Sequence, residues 1–273
     1  MRCKSLGILG ALAILPAFGQ VANSTLSQDE LEKIIPHQFG PIQAKLENGD
    51  GTVVDTNWSG YAVLGSSFES VFGSWVVPKS DCSKSLAKSA VFWVGIDGYN
   101  SSTVEQTGTV SVCALGIPYY FAWYEFYPSN LVLVKVPVQP GDLMSASVVY
   151  SSTTGEFTTT ITNTTTGKSA TQSQAVPGAV RNSAEWIAEA PASSSMQILP
   201  FADFGTVLFG QDNTGISGTN YATDESTSGT IGSFLPVNII QIKKGFSFTS
   251  FATSTCSALS SDGTSFSCVW APY

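Results

Sequence analysis

From about residue 56 to the C-terminus, apolar residues come in short runs separated by Gly, Ser, Asn or Pro. Tyr61–Leu64, Val71–Val77, Val91–Ile96, Tyr119–Tyr127, Ser145–Tyr150, Gly205–Phe209 and Val237–Ile242 are such runs, rich in β-branched and aromatic side chains. Leu131 to Val138 alternates, with Leu131, Leu133 and Lys135 on one face and Val132, Val134 and Val136 on the other. Glu156–Thr162 with a return through Lys168 predicts a polar hairpin, and a last hairpin closes the chain. Short strands recurring about every ten residues predict an all-β, antiparallel sandwich or barrel. No internal repeat and no second boundary interrupts this stretch.

Before residue 56 the pattern changes. Arg2 and Lys4, the apolar run Leu6–Leu15 and the small residues around Ala17-Phe18-Gly19 read as a signal peptide over residues 1–19. That run is too short to span a bilayer, so the protein is expected to be secreted, extracellular and not held in a membrane. Residues 20–55 read as an N-terminal extension or short pro-segment. In them Ser27-Gln28-Asp29-Glu30 is a capping-box pattern opening a helix to Ile35, stopped by Pro36, and Gly49-Asp50-Gly51 reads as a hinge. Residues 56–273 form the expected main domain.

Composition narrows the possibilities. Only 12% of residues are charged, the net charge is -8, and 43% are hydrophobic. An acidic chain repels polyphosphate, so nucleic acid is not an expected partner. Five cysteines are present. Cys3 leaves with the signal peptide, and the remaining Cys82, Cys113, Cys256 and Cys268 allow three pairings in an oxidising compartment. The hairpin signal Asp262-Gly263 between Cys256 and Cys268 favours joining those two, which leaves Cys82 with Cys113. Glycan acceptor triplets start at Asn23, Asn57, Asn100 and Asn163, and only exposed ones would be used.

One histidine, His37, occurs in the whole chain, and it lies before the main domain. Ser-His-Asp and Cys-His catalysis and histidine-based zinc sites are therefore excluded there. Motifs for a serine nucleophile elbow, paired aspartates, phosphate cradles and calcium loops are absent, and no cofactor or metal is called for. A hydrolase on this chain must work with carboxylates, amides and hydroxyls. Four segments concentrate such groups among aromatics: Asn57-Trp58-Ser59-Gly60-Tyr61; Phe92–Gly98 with Glu105-Gln106-Thr107-Gly108; Ala122–Pro128, which contains Glu125; and Ala184-Glu185-Trp186-Ile187-Ala188-Glu189. A glutamate held among aromatics in a low-dielectric cleft has a raised pKa and exchanges protons in acid.

In this order, Asn-Trp-Ser-Gly, Trp-Val-Gly-Ile-Asp-Gly, Gln-Thr-Gly, Ala-Trp-Tyr-Glu and Ala-Glu-Trp-Ile-x-Glu resemble the glutamic peptidases, or eqolisins, over most of residues 56–273. The resemblance implies a sandwich of two long antiparallel sheets of the concanavalin A-like or jelly-roll type, with the site on a concave face. It implies a catalytic pair, Gln106 and Glu189, with Trp58, Trp93, Asp97 and Glu125 lining or supporting the site. Protein or peptide substrates are then expected, taken by a monomer.

Glu189 as a carboxylate would take a proton from the attacking water and return it to the leaving amine, while Gln106 would orient that water and donate to the developing oxyanion. Glu185, on the same strand face but about 13 Å away at 3.3 Å per residue, reads as a satisfied structural carboxylate. Glu105 is expected on the opposite face from Gln106. The alternative is a secreted glycosidase or a sugar-binding lectin-like sandwich; the glycosidase would pair Glu125 with Glu189 on neighbouring strands.

Overall fold

The computed structural model describes residues 34–36, 38–43, 45–49, 51–83, 87–192, 197–244 and 250–272. The signal peptide, most of the expected helix from Ser27 and His37 lie outside the described residues. Ile34 and Ile35, the end of that expected helix, form a turn, and Ile35 is buried.

The strands are β1 (Leu46–Glu47), β2 (Thr52–Asp55), β3 (Trp58–Leu64), β4 (Phe68–Val76), β5 (Ala87–Ile96), β6 (Val104–Ala114), β7 (Ile117–Tyr127), β8 (Val132–Val134) and β9 (Leu143–Ser151). They continue with β10 (Glu156–Asn163), β11 (Lys168–Gln174), β12 (Ser183–Glu189), β13 (Thr206–Phe209), β14 (Tyr221–Asp224), β15 (Thr227–Thr230), β16 (Pro236–Lys244), β17 (Ser250–Cys256) and β18 (Phe266–Trp270). One helical turn, α1 (Gln211–Thr214), follows β13.

Pairing defines two layers. One runs β8-β7-β6-β5-β12-β3-β16, and the other β11-β10-β9-β4, to which β13 and β14 add. The pairings β16–β17, β17–β18 and β18–β13 carry the ladder around one corner from the first layer to the second. The architecture is the expected β-sandwich. Between the layers lies the main core, including Phe92, Val94, Ile96, Trp75, Val71, Phe157 and Trp186. Trp186 of β12 reaches across and donates its Nε1–H to the Phe72 carbonyl of β4 at 2.9 Å. Gly73 makes this possible: a Cβ there would meet Val94 Cγ1 at 2.3 Å and Trp186 Cδ1 at 2.9 Å.

The disulfides join Cys82 to Cys113 and Cys256 to Cys268, the latter across paired positions of β17 and β18. The polar hairpin is β10–β11. Phe157, Thr159 and Ile161 point inward, while on the outer face Thr158–Ser173, Thr160–Thr171 and Thr162–Ser169 hydroxyl pairs lie 2.8, 3.1 and 2.9 Å apart. Of the described glycan acceptors, Asn57 and Asn163 are fully buried and Asn100 is exposed.

Two expectations need correction. The stretch read as a hinge lies between two paired strands: β1 pairs with β2, and Asn48 donates its N–H to the Thr52 carbonyl at 2.8 Å. Strand β2 then pairs in parallel with β16, so the folded body begins before residue 56 and one of its pairings is not antiparallel. The cause is local, because Val53 is buried and carries β2 onto the sheet. The alternating run Leu131–Val138 gives only the three-residue β8; beyond it Val136 and Val138 pack into the core without ladder partners.

Candidate active site

Strands β12 and β6, and β5 from Ser89 to Ile96, are buried on both faces, while β7 is buried only at Ala122, Trp123, Glu125 and Phe126. The register there is regular. Glu185 lies opposite Gly95, Gly95 opposite Gln106, and Gln106 opposite Glu125. Directly paired residues share a face, so Glu185, Gln106 and Glu125 all point to the face that carries the N-terminal segment. The next row on that side holds Ile187, Trp93, Gly108 and Trp123, and the following one Glu189, Val91, Val110 and Phe121. Gly95 keeps this face open, since a Cβ on it would stand 2.8 Å from the Trp93 ring and 3.2 Å from the Gln106 Cβ. Glu105 pairs with Ile96 and Phe126 and so faces between the layers, away from Gln106.

Glu189 is fully buried with both oxygens partnered: Trp93 Nε1–H donates to Oε2 at 2.8 Å, and Asn57 Nδ2 to Oε1 at 3.4 Å. Trp58, edge-on to Trp93 at 5.0 Å, stands beside it. Burial raises the Glu189 pKa well above the ordinary carboxylate value; the Trp93, Asn57 and Trp58 donors pull it down, and the Asp55 charge adds to the rise. Glu125 is also raised, chiefly by burial, with the Glu189 charge adding to it. Its Oε2 accepts from Gln106 Nε2 at 2.9 Å.

Gln106 and Glu189 do not hydrogen-bond each other. A stretch of the chain's own backbone runs between them. Phe39 donates its N–H to Glu125 at 3.0 Å, and its carbonyl accepts from Gln106 Nε2. The Gly40 carbonyl accepts from Trp58 Nε1 at 3.2 Å, and the Pro41 carbonyl accepts from Asn57 Nδ2 at 3.2 Å. Gln38 bridges Ala192 in antiparallel fashion, and Ile42 donates to the Gly98 carbonyl at 3.2 Å. The Phe39 ring meets Trp123 edge-on at 4.5 Å. Two oxygens facing Gln106 Nε2 fix which end of that amide is nitrogen. Its Oε1 is buried with no partner.

The remaining predicted residues lie elsewhere. Asp97, in left-handed backbone with φ 71° at the end of β5, accepts from the amides of Val180 and Arg181 at 2.8 Å each and of Asn182 at 3.0 Å. Its carboxylate thus holds the turn before β12 rather than facing the groove. Glu185 is not the satisfied carboxylate expected: it is fully buried, and neither oxygen has a hydrogen-bond partner. Glu125 and Glu189 are not on neighbouring strands, because β6 and β5 stand between β7 and β12. Among the described residues no three of His, Cys, Asp and Glu are placed to hold a metal ion, and no helix is long and apolar enough to cross a membrane.

Sequence reading missed two contributors. Asn57, which opens the Asn-Trp-Ser-Gly motif but was assigned no role beyond a glycan acceptor, bridges Glu189 and the bound backbone. Phe39, in a segment broken by Pro36, Gly40 and Pro41, carried no periodic signal at all.

Comparison with known proteins agrees with the fold. The profile of the Peptidase A4 family matches residues 56–265. Aspergillopepsin-2 of Aspergillus niger is 29% identical over 206 residues, 67% of this chain and 72% of that protein. Scytalidopepsin B of Scytalidium lignicola is 32% identical over 171 residues, 59% of this chain; the chain spans 64% of that relative's length. Among solved structures, scytalido-glutamic peptidase with a transition state analog inhibitor superposes with a TM-score of 0.65 at 26% identity, covering 79% of this chain and 98% of that one. The Eqolisin-family peptidase SCP-B in complex with the tripeptide Ala-Ile-His superposes with a TM-score of 0.60 at 25% identity, covering 79% and 98%. A family profile over most of the chain, laid on the same β-rich fold, makes this protein a member of the Peptidase A4 family and a glutamic-type peptidase, hence a hydrolase.

Proposed function

We propose that the protein is a secreted endopeptidase that cleaves protein substrates in acid, with Glu189 as general base and then general acid and Gln106 as the group that positions water and stabilises the oxyanion. The observation that carries this reading is the peptide already lying in the groove. Gln106 Nε2 donates to the Phe39 carbonyl, as an oxyanion donor would, while its unpartnered Oε1 remains able to accept from a water. Glu189 sits toward Gly40 and Pro41, tied by Asn57 to the Pro41 carbonyl, on the side where a leaving amine would need a proton. Glu125, bonded to both Gln106 and the Phe39 N–H, orients the amide and the substrate backbone together.

The chemistry runs in two proton transfers through a tetrahedral adduct of water, with no covalent bond between substrate and enzyme. Water gives a proton to the Glu189 carboxylate and its oxygen joins the carbonyl carbon; Glu189 then returns that proton to the departing nitrogen. Burial beneath the segment raises the Glu189 pKa, and the Trp93 and Asn57 donors oppose that rise by favouring the carboxylate. The relatives described bind a transition state analog inhibitor and a tripeptide, which supports peptide substrates here. Two disulfides fit an oxidising, extracellular setting. The test is hydrolysis of denatured protein at acid pH by the wild-type chain and by Glu189→Gln. Loss of hydrolysis in a folded variant is expected; a fully active variant would refute the assignment.

A further inference from the structure

We propose that the chain's own Phe39–Gly40 peptide bond is a substrate of this site, cut to set the N-terminus of the active protein at Gly40. The inference rests on the peptidase reading above and adds which bond is cut and where the mature chain begins.

Residues 38–43 are held as a substrate strand would be held. Backbone groups of all six engage the protein: the Gln38–Ala192 bridge, both polar groups of Phe39, the carbonyls of Gly40 and Pro41, and the N–H groups of Ile42 and Gln43. An extended peptide paired by its main chain, with alternate side chains in pockets, is the general mode of strand recognition. Within the segment only one carbonyl receives the Gln106 amide, that of Phe39. The bond following it is Phe39–Gly40. Glu189 lies on the Gly40 side, where the nitrogen released by cleavage would emerge. The aromatic ring before that bond is seated against Trp123, and the side after it is unhindered, since a Cβ on Gly40 would approach nothing closer than the Tyr127 ring at 3.5 Å.

Cleavage here also agrees with the body of the fold. Removing everything up to Thr56 would take away β1 and the parallel strand β2 with its buried Val53. Cutting after Phe39 leaves both in the sheet. It releases the part that engages Gln106, Glu125 and Trp123, leaving residues 40–45 as a short arm ahead of β1. The step balances simply: water adds to the Phe39 carbonyl carbon, the C–N bond to Gly40 breaks, Phe39 ends as a carboxyl group and Gly40 begins as an amine.

The experiment uses the chain beginning at Gln20, transferred to about pH 4, within the range where ordinary carboxylates titrate. Intact mass and N-terminal sequencing follow the product, with hydrolysis of denatured protein measured alongside. A new N-terminus at Gly40 in the wild-type chain, absent in Glu189→Gln, is the expected result. Phe39→Ala should slow the cut about tenfold or more, and Phe39→Leu, which retains apolar bulk if the alanine variant packs poorly, should slow it less. Hydrolysis of added protein with the new N-terminus elsewhere, or with the Gln20 form intact and active, overturns this proposal and leaves the peptidase reading standing. Absence of hydrolysis of both added protein and the chain itself overturns both.

Discussion

Strand β12 carries a glutamate near each end of one face, and the two live in opposite surroundings. Glu189 has a donor on each oxygen, from Trp93 and Asn57, and a peptide backbone beside it. Glu185 is equally buried, yet neither oxygen has a well-formed hydrogen bond; only the Ser183 hydroxyl beside it draws its pKa down, against burial and the charges of Asp97 and Glu105. Both are raised in pKa by burial, so burial alone does not mark the functional carboxylate. The difference is provision. A carboxylate that must lose its proton in each cycle needs donors to hold the anion; one that stays neutral needs none.

The sharpest way to break the contrast is to neutralise each glutamate in turn. Glu189→Gln should reduce turnover on denatured protein by at least about a thousandfold, since base and acid leave together. Glu185→Gln should keep activity within about tenfold. Steady-state kinetics on folded variants decides it, and the reverse ranking would move the catalytic role to Glu185. Gln106→Ala should follow closely, with a loss of about a hundred- to thousandfold in kcat, the usual effect of deleting one oxyanion donor. Glu125→Gln should lose less, about tenfold, because it acts on the amide of Gln106 and not on the scissile bond.

How much of this was legible in the sequence differs by region. The polar hairpin β10–β11 and the run Tyr119–Tyr127 could be read directly, since alternation or aromatic density survives there. Strand β6 could not be read as a half-buried strand: Val104–Ala114 is buried at every position, so the inside–outside alternation is lost. The pair Tyr221–Asp224 and Thr227–Thr230 went unseen because polar residues with a turn give the same pattern as a loop. At the site, the ordered motifs located Trp58, Trp93, Gln106, Glu125 and Glu189 on one face. What no spacing could reveal was the occupant. Residues 38–43 have no periodicity, and their place comes from backbone groups that every residue carries. Asp97 shows the converse: its motif position is as prominent as that of Trp93, yet its carboxylate is spent on three backbone amides.

A pH-dependent stability should separate the two ends next. Glu105 is pushed up to about 9 by burial and by the Asp97 charge, and Glu185 is raised in the same direction. A carboxyl whose folded pKa exceeds its unfolded value stabilises fully below the unfolded pKa of 4.5, and that contribution is lost as pH rises through the folded one. The protein should therefore be most stable in acid and weaken steadily from about pH 5 to about pH 9. Urea midpoints across that range measure it. Glu105→Gln and Glu185→Gln should flatten the slope, because the amide has no proton to lose. A stability that rises toward neutrality would contradict a neutral acid pair.

The smallest effect tests provision itself. Trp93→Phe keeps an aromatic ring against Trp58 but deletes the Nε1–H that reaches Glu189 Oε2 at 2.8 Å. Hydrogen bonds to the charged form favour that form, so losing one should move the Glu189 pKa upward, toward the condition of Glu185. In the open groove the base must be deprotonated, so the acid limb of kcat/KM against pH should shift to higher pH. Activity at the lower end should fall by about tenfold, while activity on the plateau falls less. The limb, not the maximum, is the diagnostic quantity, because damage to packing lowers activity at every pH by a similar factor. If the variant loses activity uniformly and its acid limb stays in place, Trp93 serves Glu189 by shape alone, and the distinction drawn between the two glutamates must rest on Asn57.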